Sequence, residues 1–240
     1  MPSGRASRPA WGAREVAFER ARRKVVSVFA HRCIYLFAAL LALLVMVPFL
    51  EDSAWGRIVL NTINILILFA AAVAVSDSRV CFALAVILGV SAIAFQVAGF
   101  GQRDPDLLLL SRGFGAAFYF LTVSYLLAYV LRREVLTLDK LYGAASAFLM
   151  IGLIWAYFYF LMLDFYPGAL TSGGAPIEVP KVSEMLYFSF TVLTSTGFGD
   201  ITPLHPITRM LCVLEQIAGV LFIAILIARL AGTYPPVERR

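Results

Sequence analysis

Long apolar runs separated by short polar stretches dominate the chain. Their apolar residues follow one another without the period-2 alternation of a half-buried strand, so the runs predict helices. A hydrocarbon core of about 30 Å needs about 20 helical residues to cross it. Six runs approach or exceed that length, and we predict them to be transmembrane helices: residues 33–50, 58–75, 80–98, 107–131, 141–163 and 210–230.

A seventh apolar run, residues 185–194, lies between the fifth and sixth predicted spans. A run of ten residues is too short to cross a bilayer as a helix, so it indicates a re-entrant segment. It follows a stretch rich in Gly and Pro, residues 165–182, which predicts an outer loop. The pattern therefore predicts an all-α integral membrane protein with six transmembrane helices plus a re-entrant helix and loop.

Composition supports this class. Hydrophobic residues make up 61% of the chain and charged residues 15%, against about 45–50% and 25% in soluble domains. That balance excludes a water-soluble enzyme, and the sequence contains no metal cluster, nucleophile elbow or phosphate loop. We expect no enzymatic activity, no cofactor and no nucleic-acid partner. Three cysteines fall in apolar runs without metal-ligand spacing and are expected to be small apolar residues: Cys33, Cys81 and Cys212.

Charge predicts the topology. Residues 1–32 carry eight basic and two acidic residues, whereas the other 208 residues carry 12 basic and 13 acidic ones. A basic segment before the first span stays on the cytoplasmic side, and six crossings then place both termini there. The expected location is the cell membrane, as a multi-pass protein. The basic segment either contacts anionic lipids or is a solvated arm that only sets orientation.

Residues 183–203 read SEMLYFSFTVLTSTGFGDITP. This segment resembles the pore loop of potassium channels, in which a filter of the form T-V-G-Y/F-G-D follows an aromatic-rich pore helix. Arg209 and Gly219 stand where bacterial relatives of this pore also place Arg and Gly. The resemblance implies a pore domain at residues 141–232 after a four-helix, sensor-like bundle at 33–131. It also implies a homotetramer around a central pore that conducts potassium ions.

The filter chemistry needs these residue types. A dehydrated potassium ion exchanges its water ligands for rings of backbone carbonyls. Carbonyls point the same way only where some residues take positive φ, which glycine does without steric strain. One chain supplies one strip of carbonyls, so a closed ring needs four chains. By resemblance the ion-coordinating residues are Ser195, Thr196, Gly197, Phe198 and Gly199, with the Ser195 hydroxyl completing the innermost site.

Residues beside the filter are expected to brace it. Asp200 lies at the outer mouth, within reach of Tyr187, and Thr194 ends the pore helix, whose dipole points toward the cavity. Thr191 occupies a position where many relatives have a carboxylate that pairs with the aspartate. Thr196 replaces the usual Val or Ile, so its hydroxyl needs a partner, either Thr191 or a neighbouring chain. With fewer braces, we predict lower selectivity or gating at the filter.

The sixth span has two faces, which helical spacing separates. Glu215, Gly219 and Phe222 share one, and Val220, Ile223 and Ile227 share the other. By resemblance the second face lines the cavity and a gate that closes by dewetting at Ile223 or Ile227. Glu215 then points toward the pore helix, either as a structural hydrogen-bond acceptor or as a protonation switch. Gly219 either bends the helix or packs closely against the pore helix.

The first four spans lack a voltage sensor. Such a sensor needs three or four basic residues on its fourth span, and here that span offers Arg112 near its outer end. We therefore predict little voltage dependence, with Asn61, Asn64 and Gln96 as hydrogen-bonding residues between helices. The resulting function is a passive, voltage-insensitive potassium channel. The alternatives are a weakly selective monovalent cation channel and a non-conducting membrane partner or sensor.

Overall fold

The computed structural model describes residues 32–74, 79–102, 105–131 and 137–231. The predicted basic arm at residues 1–32, with its expected lipid contact, therefore lies almost entirely outside the described residues. So do the loop at 132–136 and the last residues of the chain.

Helices make up most of the described chain. The long ones are α1 (Arg32–Leu50), α2 (Ala54–Ala74), α3 (Arg79–Gln102), α4 (Pro105–Val130), α5 (Leu138–Phe165) and α7 (Pro206–Ala231), and the short one is α6 (Val182–Leu193). Five of them, α1, α3, α4, α5 and α7, are long and apolar enough to cross a membrane, which makes this a membrane protein. The 21-residue α2 contains a shorter apolar stretch, Thr62–Ala71, among its described side chains.

Local chemistry explains where the helices near the candidate filter begin and end. The Thr137 hydroxyl accepts a hydrogen bond from the Lys140 N–H (3.3 Å) and caps α5. Pro206 opens α7, where its missing N–H leaves no intrahelical bond unmade. The apolar segment predicted at 185–194 forms α6, which begins three residues earlier at Val182.

The helices pack as a chain of neighbours, α1 on α2, α3 on α4 and α4 on α5, with α1 also lying against α5. The Tyr119 hydroxyl donates to the Asn64 side-chain oxygen (2.9 Å), so the predicted hydrogen-bonding role of Asn64 between helices is confirmed. α5 is the most buried of the five spans, because the first-half helices cover one side of it and α6 the other. It therefore joins the bundle to the candidate filter.

A small antiparallel sheet, which the helical patterning did not predict, is formed by residues on both sides of α6. Strand β1 (Leu170–Ser172) pairs with β2 (Ala175–Pro176) on one side and with β3 (Ile201–Pro203) on the other. In the second pairing Thr171 lies opposite Thr202, and their hydroxyls are 2.8 Å apart. The sheet thereby ties the loop before α6 to the residues that follow the filter motif.

Candidate functional site

A strip of backbone with alternating handedness connects α6 to β3. Ser195, Gly197 and Gly199 have φ values of 56°, 55° and 81°, whereas Thr196 and Phe198 between them are outside the positive-φ region. Alternation of this kind turns successive carbonyls toward the same side of the strip. The positive φ predicted for the two glycines is confirmed. The positive φ of Ser195 was missed, since a serine rarely adopts it.

Three amides of this strip donate hydrogen bonds to α6. The Thr196 and Gly197 N–H groups both donate to the Thr191 carbonyl, at 2.8 and 3.1 Å, and the Ser195 N–H donates to the Val192 carbonyl at 2.9 Å. In the described part of the chain, none of the carbonyls of residues 195–199 accepts a protein hydrogen bond. These residues are also exposed in the single chain. The strip therefore presents acceptors without donors, which is the arrangement that binds cations.

The Thr196 hydroxyl has a different partner from the one predicted within the chain. It lies 2.8 Å from the Thr194 hydroxyl, which itself donates to the Phe190 carbonyl (2.7 Å), so Thr196 is the donor of the pair. The expected partner, Thr191, instead donates to the Phe188 carbonyl at 2.8 Å. Of the two predicted partners, Thr191 was therefore wrong, because a threonine in a helix readily bonds back to a carbonyl of its own preceding turn.

Asp200 is held just after the C-terminal end of the strip. Its carboxylate accepts a hydrogen bond from the Ile201 N–H (3.0 Å), and its carbonyl accepts one from the Gly173 N–H (3.1 Å). The neighbouring Tyr187 hydroxyl is the main reason that the pKa of Asp200 is lowered, in line with the predicted reach of Tyr187. The Tyr187 ring also lies parallel to the Phe198 ring, with 6.2 Å between centroids. The C-terminal end of the strip is thus braced from α6 and from the β1–β2 turn.

Tyr187→Phe tests this brace through pH. Because the Tyr187 hydroxyl favours the ionised carboxylate, its stabilising contact is present above the ordinary pKa of Asp200 and is lost as pH falls through the lowered value. We expect the variant to lose ion flux at a higher pH than the wild type during acid titration. Tyr35→Phe, at an exposed site on α1, is the matched control. An unchanged acid midpoint in Tyr187→Phe would contradict the brace.

Behind α6 lies a buried carboxylate. Glu215 on α7 is fully buried and accepts hydrogen bonds from the Tyr159 hydroxyl of α5 (2.5 Å) and the Ser189 hydroxyl of α6 (2.6 Å). The Ser189 oxygen is also 2.8 Å from the Gly152 carbonyl. Glu215 therefore faces α6, as its helical position predicted, and joins three helices. The part of Tyr159 was missed, although a tyrosine in an apolar span signals a hydroxyl that needs a partner.

Two glycines let the flanking helices approach α6 closely. A Cβ on Gly219 would lie 2.0 Å from the Leu193 carbonyl oxygen, and one on Gly152 would lie 2.6 Å from the Phe190 ring. α7 is one continuous helix from Pro206 to Ala231, and the contact of Gly219 with Leu193 supports its close-packing role. The sequence alone left these two roles of Gly219 open.

The other face of α7 is apolar and uncovered in the single chain. Val220, Ile223 and Ile227 are 57%, 46% and 59% exposed, in contrast to the buried Glu215 and Gly219. The two faces predicted from helical spacing are therefore separated as expected.

On α4, Arg112 forms an ion pair with Asp164 at the C-terminal end of α5 and lies over the Phe160 ring, 4.8 Å from its centroid. Arg112 is thus engaged in a contact between helices. No group of three or more His, Cys, Asp or Glu side chains that could hold a metal ion is found among the residues that the structure describes.

Residues 147–234 match a protein-family model described as an ion channel. The match supports an ion-channel domain. The matched residues include most of α5, all of α6, the strip of residues 195–199 and α7, so they contain the whole candidate filter. The match therefore favours channel activity over enzymatic activity. No curated protein and no solved structure matches the chain.

Proposed function

We propose that this protein is a passive potassium channel that conducts through the backbone carbonyls of residues 195–199. The observation that carries the proposal is the strip itself, in which alternate residues have positive φ, the first three amides bond to α6 and the carbonyls accept no hydrogen bond from the described residues. Rings of such carbonyls replace the hydration shell of a potassium ion. The ion-channel match over the same residues supports the proposal.

The proposed assembly is a homotetramer in the cell membrane, with six spans per chain and both termini in the cytoplasm. One strip can surround an ion only if other copies complete the ring, and closed cyclic symmetry requires the same surface on each copy. The strip and the apolar α7 face of Val220, Ile223 and Ile227 are both exposed in the single chain. Both would face the central axis, the first at the filter and the second at the inner gate.

Rubidium flux into liposomes that contain the purified protein tests conduction, and block by barium tests the carbonyl filter. Gly197→Ala and Gly113→Ala form a matched pair, because neither added Cβ would have an atom within 4 Å other than those of its chain neighbours and, for Gly113, its own helix backbone. Gly197 has a φ of 55°, which alanine adopts at a cost of about 1–2 kcal/mol, whereas Gly113 lies inside α4. We expect Gly197→Ala to abolish flux and Gly113→Ala to retain it. A wild type without flux would instead support the non-conducting membrane partner.

Reversal potentials under bi-ionic potassium and sodium conditions distinguish the two channel hypotheses. Thr191 provides no carboxylate beside Asp200, and its hydroxyl bonds within α6, which favours the weakly selective channel as the second candidate. Strong potassium preference with steady current would reject that candidate. A reversal potential near zero would reject potassium selectivity and support the weakly selective cation channel.

The proposed channel is nearly voltage-insensitive. Steep voltage dependence requires several basic residues that move through the membrane field, and the described part of α4 carries one basic residue, Arg112, which is paired with Asp164. We expect a shallow conductance–voltage relation in the wild type and no steeper or flatter one in Arg112→Gln. Recording from planar bilayers checks this. A steep relation in either protein would contradict it.

A further inference from the structure

We infer that Glu51 is a positioning residue for α6, and that the outer end of α1 is the point through which the first four helices act on the filter. The inference rests on the proposed function for its electrical consequence. Its structural part concerns contacts that neither the pore-loop resemblance nor the family match includes, because Glu51 lies nearly 100 residues before the matched segment.

Glu51 is fixed to the end of α1. It follows Leu50, the last residue of the helix, and its own N–H donates to the Val47 carbonyl at 3.1 Å. From there its carboxylate accepts two hydrogen bonds from Ser183, one from the N–H at 3.0 Å and one from the hydroxyl. A single side chain of the bundle therefore holds the first turn of α6.

This contact satisfies a need of α6 itself. The first N–H groups of a helix have no acceptor within the helix, and the N-terminal end carries partial positive charge. A carboxylate that accepts from such an N–H makes a charge-assisted hydrogen bond, which is stronger than a neutral one. Glu184, inside α6, bonds instead to the Lys181 N–H before the helix (3.2 Å). Glu51 therefore supplies the acceptor for Ser183 from outside α6.

A neighbouring contact provides the comparison. Asp52 pairs with Lys181 at 2.8 Å, and this hydrogen bond raises the pKa of Lys181. Both side chains are well exposed, at 75% and 50%, whereas the Glu51–Ser183 contact is partly buried. Exposed ion pairs contribute little, so Asp52 is the natural control for Glu51.

The inner end of α1 is tied in a corresponding way. The Asp139 carboxylate, in the first turn of α5, accepts a hydrogen bond from the Cys33 N–H at 3.0 Å, and the Tyr129 hydroxyl donates to its other oxygen at 3.2 Å. α1 is thus anchored to α5 at one end and to α6 at the other. A displacement of the bundle against α5 would be transmitted along α1 to Ser183.

The route from Ser183 to the filter is short and stiff. α6 has 12 residues and spans about 18 Å at 1.5 Å per residue. Its Thr191 carbonyl holds the Thr196 and Gly197 amides of the strip. Because Gly219 and Glu215 secure the far half of α6, release of its first turn changes the tilt of the helix. The Thr191 carbonyl then moves with it.

The experiment compares wild type, Glu51→Ala, Glu51→Gln and Asp52→Asn as full-length protein in liposomes. We expect Glu51→Ala to reduce the potassium-over-sodium permeability ratio, read from the bi-ionic reversal potential, by roughly tenfold. Glu51→Gln, which keeps an acceptor oxygen, recovers part of the ratio, and Asp52→Asn stays at the wild-type value. A merely structural loss would lower the amount of conducting protein without moving the reversal potential.

Hydrogen exchange on the same proteins gives a readout independent of conduction. We expect faster exchange in Glu51→Ala at the Ser183 amide and also at the Thr196 and Gly197 amides, with no change in Asp52→Asn. Faster exchange confined to Ser183, or a wild-type permeability ratio in Glu51→Ala, would overturn the inference while leaving the channel proposal intact. A wild type without rubidium flux would overturn the channel proposal. The hydrogen-exchange pattern would still test whether Glu51 positions α6.

Discussion

Gly219→Ala is expected to abolish rubidium flux and to reduce the yield of folded protein. The added Cβ would lie 2.0 Å from the Leu193 carbonyl oxygen and 3.1 Å from a Leu193 side-chain carbon. The carbonyl belongs to the last turn of α6, so it cannot rotate away as a flexible side chain could. α7 must therefore separate from α6 by more than 1 Å, and overpacking of this kind costs about 1–3 kcal/mol.

The loss of flux should exceed the loss of stability. The Leu193 carbonyl is two residues before Ser195, where the alternating strip begins, so a displaced α6 end carries the strip with it. Flux in liposomes and thermal unfolding in detergent measure the two effects. Gly113→Ala, which meets no atom within 4 Å, controls for the extra methyl group. Wild-type flux in Gly219→Ala would show that the close approach of α7 to α6 is not required.

Glu215→Leu is expected to have the second largest effect, a strong reduction of flux together with a lower midpoint of thermal unfolding. The substitution removes the acceptor of the buried Tyr159 hydroxyl, whose other contact is the Cys212 sulfur at 3.4 Å. A buried hydroxyl that loses its acceptor costs about 1–3 kcal/mol. Ser189 loses less, because the Gly152 carbonyl remains 2.8 Å away.

Glu215→Gln is the matched control for that result. The amide oxygen can accept from Tyr159, and the amide N–H group can donate to Ser189 while Ser189 donates to the Gly152 carbonyl. We therefore expect near wild-type stability and flux. The same variant decides between the two roles predicted for Glu215. A retained pH response makes the carboxylate a structural acceptor, and a lost response makes it a protonation switch. Equal damage by Leu and Gln would contradict the hydrogen-bonding account.

The helical architecture could be predicted because, in a membrane, an apolar segment must satisfy its backbone hydrogen bonds within itself. An apolar run of about 20 residues has few alternatives to a spanning helix, and the run at 185–194 was too short to span. Helical spacing alone also placed Glu215 and Gly219 on one face of α7 and Ile223 and Ile227 on the other. The pairing of β1 with β3 was missed because it joins residues some 30 positions apart, and no local pattern encodes that partner. The β1–β2 hairpin did have a local signal, the Gly173–Gly174 turn between its strands.

Some features of the candidate filter could also be predicted from the sequence, and others could not. Its residue types indicated the strip and the positive φ of Gly197 and Gly199, because glycine adopts that conformation without strain. The positive φ of Ser195 was not predicted, because serine has no preference for it. Its φ of 56° accompanies the hydrogen bonds that the Ser195, Thr196 and Gly197 amides donate to α6. The hydroxyl partner of Thr196 was misassigned for a related reason, because helical threonines have competing acceptors within their own turn.

The sequence by itself determined the class of the protein, the order of its helices and the position of the glycine-containing strip, since each follows from hydrophobicity and local backbone preference. Only the tertiary structure decided what holds the strip in place: Tyr159 and Ser189 on Glu215, the close approach of Gly219 to Leu193, and Glu51 on Ser183. These contacts join residues between about 25 and 130 positions apart, and their partners are chosen by how the helices pack. Helix packing depends on the whole set of contacting faces at once, so no single segment of the sequence contains it.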